Sequence, residues 1–510
     1  MDDMTAPGPA AVRLDPRDNV ATAIRALAIG ETAQGIPVTD PIPRGHKLAL
    51  APIATGAEVV KYAQGIGAAS SDIAPGQHIH THNLAFHASR QDHEFCKAAT
   101  ETAFVPQDER ATFMGYHRAD GRVGTRNYIA VITSVNCSAT AGRLIAGHFD
   151  AARLASVPNV DGVAAFVHGT GCAMAPDSEG FENLQRVMWG YARNPNCAGV
   201  LMVGLGCETM QLDFLLECYG IERGPLFRTM NIQNMGGLRR TVEAGIAIVG
   251  EMLPHADACR RAPADASHLM LALQCGGSDA WSGVTANPAL GYAADLLVKN
   301  GGTAVLAETP EIYGAEHLLT ARARDEATAK KLMDRIAWWE DYTARHGGSM
   351  DNNPSPGNKA GGLTTILEKS LGAVAKSGTC TLEGVYRYGE PIDRKGFVFM
   401  DSPGYDPASI TGEIASGCTL AAFTTGRGSV FGSKPTPCIK IATNTEMATR
   451  MAEDMDVNAG RIVSDGATVE EVGTEIFDLL LRVASGEPSL SEAQGLGDYE
   501  FVPWQVGAVM

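Results

Sequence analysis

Aromatic residues are scarce in this chain: Phe, Trp and Tyr make up 6% of its 510 residues. That argues against an aromatic-lined groove as the main recognition surface. Long apolar runs are missing too, with no stretch of about 18 apolar residues, so no membrane span is expected. There is no Lys/Arg block and the formal net charge is −17, which disfavours nucleic-acid and anionic-membrane partners. The start lacks a basic n-region and an apolar h-region. Residues 1–17, rich in Ala, Pro and Asp, read as a disordered leader on a soluble, cytoplasmic protein. The eleven cysteines form no CxxC pair, so neither a disulfide framework nor a zinc ribbon is supported. No GKS or GKT follows the glycine-rich runs, and no full GxGxxG opens a helix ahead of a suitably placed acid. NAD is therefore not expected as a cofactor, and neither is PLP.

What the chain has in quantity is glycine, 57 residues, and enough length for two to four domains. From residue 18 to 88 short apolar runs alternate with turn signals, the pattern of a small β domain. Residues 89–114 lose periodicity and read as a linker. From Gly115 on, strand-like runs (129–135, 163–167, 200–203, 269–273, 303–307, 397–400, 420–423, 439–442) alternate with amphipathic segments (183–192, 288–298, 327–346, 469–484). That alternation predicts parallel α/β architecture. A composition break at 254–266 divides it into a middle domain, 115–260, and a C-terminal domain, 266–510.

Cys172 in HGTGC, Cys207 in GLGCE and Cys275 in QCGGSD each sit in a glycine-rich loop after a strand-like run. Cys137, Glu308, Ser402, Thr425 and Arg427 occupy equivalent places. Open α/β sheets bind ligands outside the carboxyl ends of their strands, so these positions are candidate site residues. Thiolate, imidazole and carboxylate together suit iron. Cys172, Cys207 and Cys275 can hold an iron–sulfur cluster, or a single Fe²⁺ can use fewer thiols with His168, Glu208 or Asp279.

The strings GYHRADGRVGTRN (115–127), HGTGC (168–172), GLGCE (204–208), CGGSDAWSGVTANP (275–288), ETPEIYGAEHLL (308–319), NPSPGNKAGG (353–362), TTGRG (424–428) and IKIATN (439–444) resemble the altronate/galactarate dehydratase family. The segment from Gly45-His46-Lys47 to His80-Thr81-His82-Asn83 is similar to that family's β-clip (SAF-type) domain. The resemblance implies three units: the β-clip, a middle domain used for homodimerisation, and a C-terminal Rossmann-like variant that does not bind NAD. It implies removal of water from a small-molecule sugar acid to give a 2-keto-3-deoxy acid, with iron required. Sulfite elimination from sulfolactate and non-catalytic sugar-acid binding are the alternative readings.

Such a dehydration needs a base for the proton beside the carboxylate and an acid for the leaving hydroxyl. A metal can stabilise the enediolate-like intermediate. Lys359, presented by a Pro- and Gly-fixed loop, His168 and Asp279 are the candidates for proton transfer. Arg427 offers a planar fork for a substrate carboxylate, and Ser278, Asn358, Thr425 and Arg126 are further candidate substrate contacts. His78, His80 and His82 alternate, so a strand would put them on one side, and His46 lies in the same domain. They can form a metal site, a lid, or simply an exposed polar face.

Overall fold

Runs such as LAAFTT (420–425) and CIKIA (438–442) are apolar on both faces, as strands covered on both sides must be. In the structure, a computed structural model describing residues 9–87 and 93–507, both lie in a seven-stranded parallel sheet. Its spatial order is Leu382–Tyr386, Gly396–Met400, Thr303–Leu306, Met270–Cys275, Leu420–Thr425, Cys438–Ala442 and Val457–Asn458. The chain begins this sheet at Met270–Cys275, lays Thr303–Leu306, the edge strand Leu382–Tyr386 and then Gly396–Met400 between them on one side, and returns to the other side with Leu420–Thr425. The reversal opens a crevice between the carboxyl ends of those two strands.

A second parallel sheet of four strands runs Gly162–Phe166, Tyr128–Thr133, Cys197–Gly204 and Phe227–Asn231. It too reverses direction at its first strand. A common core joins the two sheets, with Ile132, Phe166 and Met202 in one cluster with Val305, Val398 and Phe423. A small antiparallel sheet pairs Thr112–His117 with Val123–Gly124 on one side and Arg261–Asp265 on the other. The composition break at 254–266 therefore holds the end of the helix Leu238–Ala258 and a strand.

The N-terminal region is built of short antiparallel strands, including Val20–Ala23, Lys47–Ala49, Glu58–Lys61, Gln64–Ala69 and His78–Ile79. Its Val59, Ile66, Ile79 and Leu84 share a core cluster with Leu290, Leu371 and Val374. Burying that apolar face fixes the region against the seven-stranded unit.

The leader expected over residues 1–17 is corrected where it is described: Ala11–Val12 is a strand paired with Thr22–Ala23. Pairing and the burial of Ala11 hold it. Residues 1–8 lie outside the described residues, as do residue 88 of the expected β domain and 89–92 of the expected linker. The rest of that linker is bonded to the larger unit, through Cys96 N–H to Thr320 O at 3.0 Å and Val105 N–H to Lys299 O at 2.8 Å. Among the described residues, no helix is long and apolar enough to cross a membrane.

Candidate active site

Two glycine-rich turns meet in the crevice of the seven-stranded sheet. Gly277 has φ 59°, and its carbonyl accepts from Gly426 N–H (3.1 Å) and Arg427 N–H (2.8 Å). A Cβ on Gly426 would stand 2.1 Å from the Asp279 carboxyl carbon, so only glycine admits this approach. A third wall comes from the short helix Pro356–Ala360. Asn358 Nδ2 donates to Ser278 O (2.8 Å), and Ala280 N–H donates to Gly361 O (3.0 Å). The N-terminal domain closes the rim, with Gly45 packed on Gly361 and Trp281.

The pocket so formed measures about 170 Å³, and its lining includes Arg44, Asp279, Trp281, Arg427, Asn444 and Arg450. Asp279 is buried. Its carboxylate accepts from Trp281 N–H (3.0 Å), Ser282 N–H (3.0 Å), Thr443 Oγ1 (2.9 Å) and Asn444 Nδ2 (3.1 Å). Burial raises its pKa above the ordinary carboxylate value, while these hydrogen bonds oppose the rise. Arg44 pairs with Glu446 at 2.5 Å. Among the described residues the guanidiniums of Arg427 and Arg450 make no side-chain hydrogen bond or ion pair, and both are exposed.

Of the expected substrate contacts, Arg427 reaches this pocket. Thr425 Oγ1 accepts from Gly428 N–H (3.1 Å) and so shapes the loop that carries Arg427. Asn358 caps its own helix and holds the Ser278 carbonyl, which leaves both residues as framework. Lys359 is half-buried beside the rim, and its carbonyl accepts from His80 Nε2 at 2.9 Å.

His46, His78, His80 and His82 converge on that turn. His46 and His80 stack at 4.7 Å between ring centroids, and His78 and His82 lie at 5.3 Å. His46 Nδ1 is 2.9 Å from His78 Nε2. Burial and mutual repulsion push the pKa values down, to about 4 for His46 and about 3 for His78. His80 is lowered by burial in the same way, so His46, His78 and His80 form a neutral imidazole stack next to the pocket.

Behind the crevice lies a buried charge network. Cys275, Glu308 and Glu311 bring three donor atoms within 4.8 Å of one another. Glu308 follows the strand Thr303–Leu306 with φ 68°, and neither of its carboxyl oxygens has a hydrogen-bond partner. A non-glycine residue in that conformation is strained. Burial, reinforced by Glu311, raises its pKa well above the usual range. Lys376 Nζ lies 2.8 Å from Cys275 Sγ, and Lys369 Nζ lies 2.6 Å from Glu311. A dication added here would face two buried ammonium groups at contact distance, so this set does not fit a resident metal ion. The sequence carried a signal for Glu308 in its strand-end position, but none for its lysine partners.

The other expected site residues lie elsewhere. Cys172 and Cys207 are exposed on loops of the four-stranded sheet, while Cys275 is buried in the seven-stranded unit, so the three do not form one ligand set. His168 is spent within its own loop. Its Nε2 donates to Thr133 O (2.9 Å) and its Nδ1 accepts from Thr170 N–H (3.3 Å), which leaves neither nitrogen for a proton or a metal. Glu208 accepts from Ser134 Oγ (2.5 Å), Leu205 N–H (3.1 Å) and Gly206 N–H (2.6 Å). Arg126 is buried and forked onto Glu492 at 2.6 and 2.7 Å, with further bonds to backbone carbonyls. It ties the middle domain to the C-terminal segment and cannot reach a substrate.

With this geometry in place, comparison with known proteins is unambiguous. Family models match residues 9–87 (altronate/galactarate dehydratase SAF domain), 115–257 (D-galactarate dehydratase/altronate hydrolase, second domain) and 266–509 (D-galactarate/altronate dehydratase, C-terminal). The chain belongs to the altronate/galactarate dehydratase family, a family of hydro-lyases. It is 35% identical to an altronate dehydratase of Bacillus subtilis, over 93% of this chain and 95% of that protein. It is 36% identical to the L-threo-forming galactarate dehydratase of Escherichia coli, over 95% of each. The beta subunit of a (2R)-sulfolactate sulfo-lyase from Chromohalobacter salexigens is 32% identical, over 77% of this chain and 96% of that subunit.

Proposed function

We propose that this protein dehydrates a sugar acid of the altronate or galactarate type to a 2-keto-3-deoxy acid in the crevice between Met270–Cys275 and Leu420–Thr425. The observation that carries the reading is the pairing of unpartnered guanidiniums with a buried carboxylate in one small polar pocket. Arg427 and Arg450 suit one or both carboxylates of such a substrate. Asp279 stands on the pocket floor with its orientation fixed by four neighbours, and it takes the proton beside the substrate carboxylate. Lys359, at the rim, delivers a proton to the departing hydroxyl. The imidazole stack and Trp281 narrow access for water.

The overall fold supports reading the seven-stranded sheet as a Rossmann-like variant. Exposed Leu144, Phe214 and Leu238 on the middle domain support reading it as the homodimer contact; light scattering on the purified chain would test that. Anaerobic assay with altronate, galactarate and sulfolactate tests the function. A 2-keto-3-deoxy acid from either sugar acid is expected. Sulfite from sulfolactate would move the chain to the carbon–sulfur lyases, and no turnover of any of the three would overturn the reading.

A further inference from the structure

On the far side of the sheets from the crevice, at the amino ends of the strands, lies a pocket that the dehydration chemistry above does not use. It measures about 190 Å³ and sits where the middle and C-terminal domains meet. Its walls come from the chain just ahead of four parallel strands: Arg193 before Cys197–Gly204, His268 before Met270–Cys275, Lys395 before Gly396–Met400 and Ala415 before Leu420–Thr425. The turn at Gly121 and Arg122 completes it. Parallel sheets place their reacting ligands at the opposite, carboxyl ends, so this is a separate site.

The walls are packed without slack. A Cβ on Gly190 would stand 2.2 Å from Ala415 O, so the helix Glu179–Arg193 rests directly on the C-terminal domain. Asn194 Nδ2 donates to Ile414 O (3.0 Å) and Cys418 O (3.1 Å), and Ile392 N–H donates to Ser416 O (3.1 Å). The pocket is pre-formed, and a ligand entering it has little chain to order.

Among the described residues its lining holds four basic side chains, Arg122, Arg193, His268 and Lys395, and no carboxylate. That is a local excess of positive charge in a chain of formal net charge −17. The four fall into two pairs on two domains. Arg122 donates to the Arg193 carbonyl and bonds Asp120 through Nε at 2.9 Å. Burial, then the Arg122 charge, lowers the Arg193 pKa, and the Arg193 guanidinium has no hydrogen bond or ion pair among the described residues. In the second pair Lys395 donates to Ser267 O. Burial, then Lys395, lowers the His268 pKa, and the His268 ring is likewise unpartnered. Asp265, which accepts from Ser267 N–H at 2.7 Å, offsets part of the charge of this pair. Like charges held side by side repel, and an anion placed against them relieves the repulsion. The rest of the wall includes the apolar Val123, Met270 and Ile392.

We propose that this pocket binds a short linear dicarboxylate, with one carboxylate at Arg122 and Arg193 and the other at His268 and Lys395. Two cationic poles on two domains suit a ligand charged at both ends, whereas a lone phosphate or monocarboxylate would answer one pole and leave the other. The planar guanidinium forks match carboxylate geometry, and the apolar wall takes the carbon chain. A ligand held by both poles bridges the two domains and stabilises the native chain by mass action.

The site stands apart from the sugar-acid reading, because binding here needs no turnover. The test is isothermal titration calorimetry and thermal melting of the full chain with succinate, glutarate and adipate, and with butyrate and orthophosphate as single-anion probes. At least one dicarboxylate should bind, raise the melting temperature and bind more weakly at higher salt. Arg193→Gln and Lys395→Gln should each weaken that binding about 10-fold or more with unchanged circular dichroism, while Arg427→Ala, in the crevice, retains it. The two substitutions remove opposite poles, so a folding defect in one leaves the other as a readout. The proposal is overturned if no dicarboxylate binds, if butyrate or orthophosphate binds as tightly, or if Arg427→Ala abolishes binding that the two pocket variants retain.

Discussion

A carboxylate held between two ammonium groups, all three out of water, joins the N-terminal domain to the rest of the chain. Glu368 accepts from Lys47 Nζ at 2.8 Å and Lys61 Nζ at 2.9 Å, and all three side chains are at most 1% exposed. Burial opposes its charge, but the two lysines overcome this and hold its carboxyl far below the usual range. Glu368→Ala would leave two buried ammonium groups unpaired and should cost about 3–5 kcal/mol in denaturant unfolding. At the pocket, Arg427→Ala should raise KM about 10- to 100-fold through loss of a charge-assisted contact. Asp279→Asn keeps most of the hydrogen bonds but removes the proposed base, so kcat should fall about 10²- to 10⁴-fold with KM little changed. Steady-state kinetics on the accepted sugar acid separates the two. Arg427 was legible from its place in TTGRG. Arg450 was not, because it ends a helix far along the chain and meets the pocket only through folding.

At the scale of elements, every parallel strand expected from an apolar run is present, within about three residues of the expected ends. The parallel strands that went unread, Phe227–Asn231, Leu382–Tyr386 and Val457–Asn458, are all edge members; polar residues dilute the pattern of the first two, and the third is only two residues long. The same holds for Thr112–His117 and Arg261–Asp265, where Gly, Pro and charge read as linker although pairing makes them strands. The turn after the helix Pro356–Ala360 depends on glycine. Gly362 has φ 99°, and a Cβ there would stand 2.3 Å from Gly45 O. Gly362→Ala should loosen the docking of the N-terminal domain and destabilise the protein by about 2 kcal/mol or more. Faster limited proteolysis between residues 87 and 112 would report it, and an unchanged digestion pattern would refute the docking role.

For the whole molecule, acid should weaken the fold before carboxylate protonation becomes important. His168 is buried and neutral, with its pKa pushed from 6.5 down to about 4. Because its folded value is depressed, the unfolded chain takes up a proton below 6.5 that the folded chain refuses. Its contribution is intact above pH 6.5 and is lost as pH falls toward 4, about 3 kcal/mol at the lower end. His46 and His78 are depressed in the same direction, so the melting temperature should fall steadily across this range. A flat profile between pH 6.5 and 4.5 would contradict the buried, neutral state of His168.

The sequence by itself determined the parallel α/β class, the small β domain ahead of it, the family, and the strand-end loops where chemistry is placed. These depend on local periodicity and on glycine and proline, which act within a few residues of chain. Tertiary structure decided which strand ends share a crevice. It separated Cys275 from Cys172 and Cys207, and it turned His168, Glu208 and Arg126 into framework. It also brought Arg44 and Arg450 to one pocket and set the histidine stack beside it. Contact between residues hundreds of positions apart depends on strand order and domain docking, and no local pattern in the chain encodes either.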